Sequence, residues 1–206
     1  MSPKRQNKRN SRGFQERTPR VERLPVRQNF LIVCEGEQTE RNYFESFPVQ
    51  TDVKVRVYGA GDNTINVVKT AIDMRDEGDY NQVWCVFDRD SFPPQHFNEA
   101  LALARRESIG VAYSNEAFEL WYLLHFEYLQ VGLQRAMYQA KLDTHLGKRY
   151  SKNSRTIYQE IEFKQGDALR NAARLLAIYS PPNPAQDNPS TTVHLLVSEL
   201  RRFSRS

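Results

Sequence analysis

The chain is poor in the residues that several function classes require. Of 206 residues only two are cysteine and four histidine, and no apolar run approaches the ~20 residues of a membrane span. A disulfide framework is therefore excluded. Cys34 and Cys85 each fall inside an apolar stretch, which predicts buried free thiols in a reducing cytoplasm. His96, His125, His145 and His194 are scattered without zinc spacing. Gly59-Ala60-Gly61 is not followed by the Lys-Ser/Thr of a phosphate-binding loop, so the chain is not itself an ATPase. The sequence also has no GxSxG, HExxH or CxxC. Its N-terminus is charged but has no apolar core, which excludes a secretory signal and, with the missing span, predicts no membrane partner.

Basic charge is present, but unevenly. Residues 1–27 hold nine Lys/Arg and two Glu, so a chain of net charge +4 leaves residues 28–206 at −3. Residues 1–27, poor in apolar side chains, are expected to be a disordered basic tail, either an arm for nucleic-acid phosphates or a solvated leader. Residues 28–206 are expected to form one domain.

That domain begins with alternating strands and helices. Residues 29–34 and 82–87 are continuous apolar runs, expected as strands buried on both faces. Residues 53–58 alternate, expected as a half-exposed strand, and 109–114 are a fourth strand. Helices are expected over 39–47, with Thr39 as cap, over 64–77 and over 96–107. This order implies βαβ crossovers and a parallel α/β sheet of about four strands flanked by helices. From about residue 115 the pattern is helical: 115–126, 130–146, 154–163, 167–179 and 190–203, the last with Ser190 or Thr191 as cap.

Both buried runs end in acid. LIVC stops at Glu35, and VWCVF stops at Asp88-Arg89-Asp90. In an open parallel sheet, ligands bind beyond the carboxyl ends of strands. Unpaired buried carboxylates are costly, so these acids need partners or a cation. Asp88 and Asp90 lie on one side of an extended segment and suit a hard ion such as Mg²⁺. Glu35 either completes that ligand set or acts as a general acid/base. Glu37 is expected to be exposed at a helix start, whereas Glu40 either does the same or faces the metal. Glu116 and Glu119 share a helix face and either approach the site or form a solvated stripe. Phe118, Trp121, Tyr122 and His125 form an apolar stripe, on which His125 is expected as a core residue. The loop GKRYSKNSR carries Lys148, Arg149, Lys152 and Arg155, candidates for gripping phosphate or merely a solvated turn. Tyr150 beside them has a ring suited to stacking a base but is left out of that set.

The strings LIVCEGEQTERNYF, FDRD, SNEAFELWYLLHF and NPSTTVHLLVSEL resemble the RloB family of bacterial defence proteins, and the likeness runs from about Phe30 to Phe203. That family resembles a branch of the Toprim fold shared by topoisomerases, primases and OLD-type nucleases. The resemblance implies a Toprim-like sheet with a helical C-terminal half. It implies Glu35 as acid/base or ligand, and Asp88 and Asp90 as holders of Mg²⁺ or Mn²⁺. Glu40 matches the second acid of OLD-like nucleases, and Glu119 stays in place in the fourth motif. Where many relatives carry Pro-Cys, this chain has Glu116-Ala117. The implied activity is metal-dependent cleavage of DNA or RNA phosphodiesters by Glu35, Asp88 and Asp90, which Lys152 of the basic loop is expected to join as a catalytic residue. The implied role is an effector of anti-phage defence, with a partner ATPase encoded alongside. A non-catalytic module binding nucleic acid or an ATPase is the alternative. Nothing in the sequence fixes the oligomeric state.

Overall fold

The computed structural model describes residues 27–89 and 93–204. At its centre lies β1 (Gln28–Cys34), whose apolar side chains divide between two cores. Phe30, Ile32 and Cys34 face one, and Leu31 and Val33 face the other. The period-two pleat explains how one continuous apolar run serves both sides of a sheet.

The chain then runs through α1 (Thr39–Glu45), β2 (Val53–Gly59), α2 (Thr64–Asp76), β3 (Gln82–Asp88), α3 (Pro94–Arg106) and β4 (Gly110–Asn115). The sheet order is β2-β1-β3-β4-β5, with the first four strands parallel. β2 is the edge strand, and its exposed Lys54, Arg56 and Tyr58 alternate with more buried residues, as its sequence predicts. Helices α2 and α3 pack on the smaller core through Val67, Val68, Ala71, Phe97 and Ala100. The larger core is covered by α1 and by the helical half: α4 (Glu119–Leu123), α5 (Arg135–Leu146), α6 (Ile157–Ile161), α7 (Gln165–Leu176) and α8 (Val193–Arg201). A short 3₁₀ turn, Glu162–Lys164, links α6 to α7. The expected α/β class with a helical C-terminal half is what the structure has.

Several boundaries differ from expectation. Ser190 and Thr191 do not cap a helix; they form β5, antiparallel to the end of β4. Both are fully buried, yet every hydroxyl is used. The Thr191 hydroxyl donates to Tyr113 O at 2.9 Å and lies 3.1 Å from the Ser114 hydroxyl, while the Ser190 hydroxyl donates to Asp187 O at 2.7 Å. The helix expected over 115–126 shrinks to α4, because Asn115 completes β4 against Ser190 and its amide donates to Asp187 O at 2.8 Å. Gln38, not Thr39, precedes the first helical residue of α1. The tail expected over 1–27 lies outside the described residues except Arg27, whose N–H donates to Asp52 O at 2.6 Å and whose guanidinium lies over the Phe203 ring. Cys34 and Cys85 are both free and buried, on opposite faces of the sheet.

Candidate active site

The parallel register sets Cys34 beside Val86, so β1 and β3 end side by side. Glu35 continues this alignment, its N–H donating to Val86 O at 2.8 Å and its carbonyl accepting from Gly61 N at 3.0 Å. The Glu35 carboxylate is fixed at both oxygens. One accepts from the Thr64 hydroxyl at 3.0 Å, and the other from the backbone N–H of Asp88 at 3.0 Å. The first acid is thus tied directly to the end of the second strand.

Asp88 is the last residue of β3. Burial, and then the negative charge of Glu40, push its carboxyl well above the usual range, with Arg135 acting the other way. Arg135, the first residue of α5, reaches Asp88 Oδ2 at 3.4 Å and the Glu116 carbonyl at 3.3 Å. Asp88 Oδ1 is buried and takes no hydrogen bond among the described residues.

Glu40 lies in the first turn of α1 and is only 6% exposed. Burial raises its pKa to about 7, with further upward pressure from Glu119 and Glu35. Gly36 at the preceding turn leaves room for the Glu40 carboxylate, which a Cβ there would displace. Glu119 starts α4 and is 5% exposed. Of the two alternatives for Glu119, the solvated stripe does not hold: all five residues of α4 are buried. The Tyr150 hydroxyl donates to Glu119 Oε1 at 3.4 Å, and Lys152 Nζ lies 3.9 Å from the same oxygen.

Lys152 is carried by a loop that α1 holds. The Thr39 hydroxyl donates to Lys152 O at 3.1 Å, and the Asn42 amide donates to Asn153 O at 3.3 Å and Ser154 O at 3.4 Å. Glu35, Glu40, Asp88, Glu119, Arg135 and Lys152 all line one cleft of about 280 Å³. Four acids from four places in the chain therefore meet two cations.

Not every candidate joins them. Asp90 lies outside the described residues. Lys148 pairs with Glu160 at 2.8 Å, Arg149 is exposed, and Arg155 lines a second groove together with Glu37. Glu116 offers its carbonyl rather than its carboxylate. His125 is a core residue as expected, 1% exposed and 2.9 Å from Trp121 O through Nδ1. Tyr150 is buried against Tyr122 and serves Glu119. Sequence reasoning missed Arg135 and Thr64. Thr64 follows a turn-forming Asp-Asn pair and could be read as a helix start, but nothing local marks Arg135 as part of a site.

Among the described residues no three His, Cys, Asp or Glu side chains converge closely enough to hold an ion alone. That suits Mg²⁺, which is typically bound through one or two carboxylates and keeps several waters. The all-oxygen donor set and the unpartnered Asp88 Oδ1 fit such an ion.

A sequence model of the family described as RloB-like protein matches residues 30–200. No curated protein and no solved structure matches the chain.

Proposed function

The chain belongs to the RloB-like family, and from that premise we propose that it is a Mg²⁺- or Mn²⁺-dependent nuclease cleaving DNA or RNA. The observation that carries this reading is the convergence of Glu35, Glu40, Asp88 and Glu119 at the carboxyl edge of the sheet, around an Asp88 oxygen with no partner among the described residues. Asp88 and Glu40 would hold the ion directly and Glu119 through its waters, with Asp90 the further ligand that the sequence offers. When bound, the ion supplies Lewis-acid polarisation of a phosphoryl oxygen.

The rest falls to the chain's own side chains. Glu35 is oriented by Thr64 and the Asp88 N–H, which leaves it able to accept a proton from an attacking water. Burial keeps Glu40 largely protonated below neutrality, so ion binding would release its proton. Arg135 and Lys152 flank the cleft and offset the charge of an incoming phosphate. The site thus has little standing positive charge of its own, and substrate binding would depend on the ion.

The test is incubation of single- and double-stranded DNA and of RNA with Mg²⁺ or Mn²⁺, comparing wild type with Asp88→Ala. Cleavage is expected only with the ion and only in wild type. Cleavage that survives the substitution would sink the assignment. The net charge of −3 over residues 28–206 favours a second reading, a non-catalytic nucleic-acid- or ATPase-binding module, whose signature is chelator-resistant binding without turnover. The family resemblance carries a further proposal, an effector of anti-phage defence gated by a partner ATPase. Loss of protection from phage in cells expressing Asp88→Ala would support it, and unchanged protection would overturn it.

A further inference from the structure

Beside the acid cleft lies a larger groove. It has a volume of about 540 Å³, within the range of small-molecule sites. The two share their walls. From α1 and the loop that follows α5, Thr39, Glu40 and Lys152 face the cleft, whereas Gln38, Arg41, Asn153 and Arg155 face the groove.

The groove's chemistry is unlike the cleft's. Arg41 is matched by Glu45 at 2.7 Å, and the remaining pair, Glu37 and Arg155, cancels in charge. A net-neutral groove is a poor phosphate funnel. It is instead furnished with amides, from Gln38 and Asn153, and with a guanidinium, Arg155, that has no ion-pair partner among the described residues. Amide and guanidinium groups are the side chains that make paired hydrogen bonds to purine edges, Asn or Gln to adenine and Arg to guanine. Unpaired strands present those edges freely. The floor at Gly59 is bare backbone, and a Cβ there would lie 2.7 Å from Glu37 Cα. The Asn42 amide is already committed to the carbonyls of Asn153 and Ser154, so it positions the loop rather than reading a ligand. The same tether fixes Lys152 on the cleft side and Asn153 on the groove side of a single loop.

We infer that this groove is a nucleotide subsite. It receives a purine base next to the phosphodiester held in the acid cleft, and Gln38, Asn153 and Arg155 read its edge. Its adjacency to a scissile phosphodiester rests on the nuclease reading; recognition of the base does not.

The test uses short single-stranded oligonucleotides, in DNA and RNA series, that differ at one position. Wild type is expected to cleave one series with about tenfold higher kcat/KM when a purine occupies that position. Arg155→Ala and Asn153→Ala should pull the purine-to-pyrimidine ratio toward one. Both side chains are exposed, and thermal denaturation confirms that the variants fold. Equal rates on all four bases in wild type, or an unchanged ratio in both variants, overturn the subsite and leave the nuclease reading standing. If wild type cleaves nothing, the nuclease reading fails by itself. Fluorescence anisotropy with the same oligonucleotides in EDTA then decides. A purine preference in wild type that Arg155→Ala abolishes supports the subsite, and no preference overturns it.

Discussion

Glu40→Gln should make the metal-free protein more stable at alkaline pH. Glu40 is buried among other acids, and its carboxyl titrates at about 7 in the fold against 4.5 outside it. A folded pKa raised above the unfolded one means that the native state holds the extra proton. The contribution to stability is therefore complete below pH 4.5 and is lost as pH rises through 7. Above pH 8 the ionised, desolvated carboxylate costs the fold about 3 kcal/mol. Glutamine is neutral at every pH and keeps an oxygen for the backbone N–H of residue 40, which supports the carboxylate in wild type. The stability difference between variant and wild type should thus be small at pH 4.5 and grow to about 3 kcal/mol by pH 8. Urea denaturation in EDTA across that range measures it. A difference that stays constant with pH would refute the argument, because it would mean that Glu40 does not titrate abnormally. Adding Mg²⁺ at pH 8 should narrow the gap by stabilising wild type more than the variant.

Two other substitutions test neighbouring steps. Gly36→Ala puts a methyl group where the Glu40 carboxylate sits, so it should cost about 1–3 kcal/mol of stability and weaken Mn²⁺ binding, as read by urea denaturation and calorimetric titration; unchanged Mn²⁺ affinity would show that the Glu40 carboxylate is not a ligand. His125→Phe addresses the opposite linkage. Burial lowers the His125 pKa to about 4 against 6.5, so its contribution is complete above pH 6.5 and is lost as pH falls toward 4, and the variant should lose about 3 kcal/mol less than wild type over that window. Parallel curves for variant and wild type would refute it.

The parts of the fold legible in the sequence are those set by local periodicity. β1 and β3 read as buried strands because both faces of each strand are covered, and β2 reads as alternating because it lies at the edge. The acids at Glu35 and Asp88 stood out because each interrupts an apolar run abruptly, and the structure brings those two strand ends together. β5 was not legible. It is two polar residues long, and its burial depends on hydroxyl bonds to a strand about 77 residues earlier in the chain. α4 misled in another way. A helix of five residues buried on every side has no polar face, so the amphipathic pattern that would have placed Glu119 in solvent does not apply. Of the four basic residues of the loop, only Lys152, the one expected to reach the site, lines the cleft. Loop side chains have no periodicity to sort them, and the sorting is done by the hydrogen bonds from Thr39 and Asn42.

The two halves of the chain divide the site's chemistry. Glu35, Glu40 and Asp88 come from the βαβ half, whereas Glu119, Arg135 and Lys152 come after β4. The cations that temper the buried acids therefore arrive only when the helical half docks on the sheet. Without that docking, the three carboxylates of the βαβ half would meet water, where repulsion is screened and there is no burial cost. Docking buries them, raises the Asp88 and Glu40 carboxyls, and brings in two partly exposed cations that offset the charge only in part. The residual cost is uncancelled negative charge at one edge of the sheet. A divalent ion would relieve it most directly, so on the nuclease reading the same feature that destabilises the metal-free fold would draw a cation to the cleft.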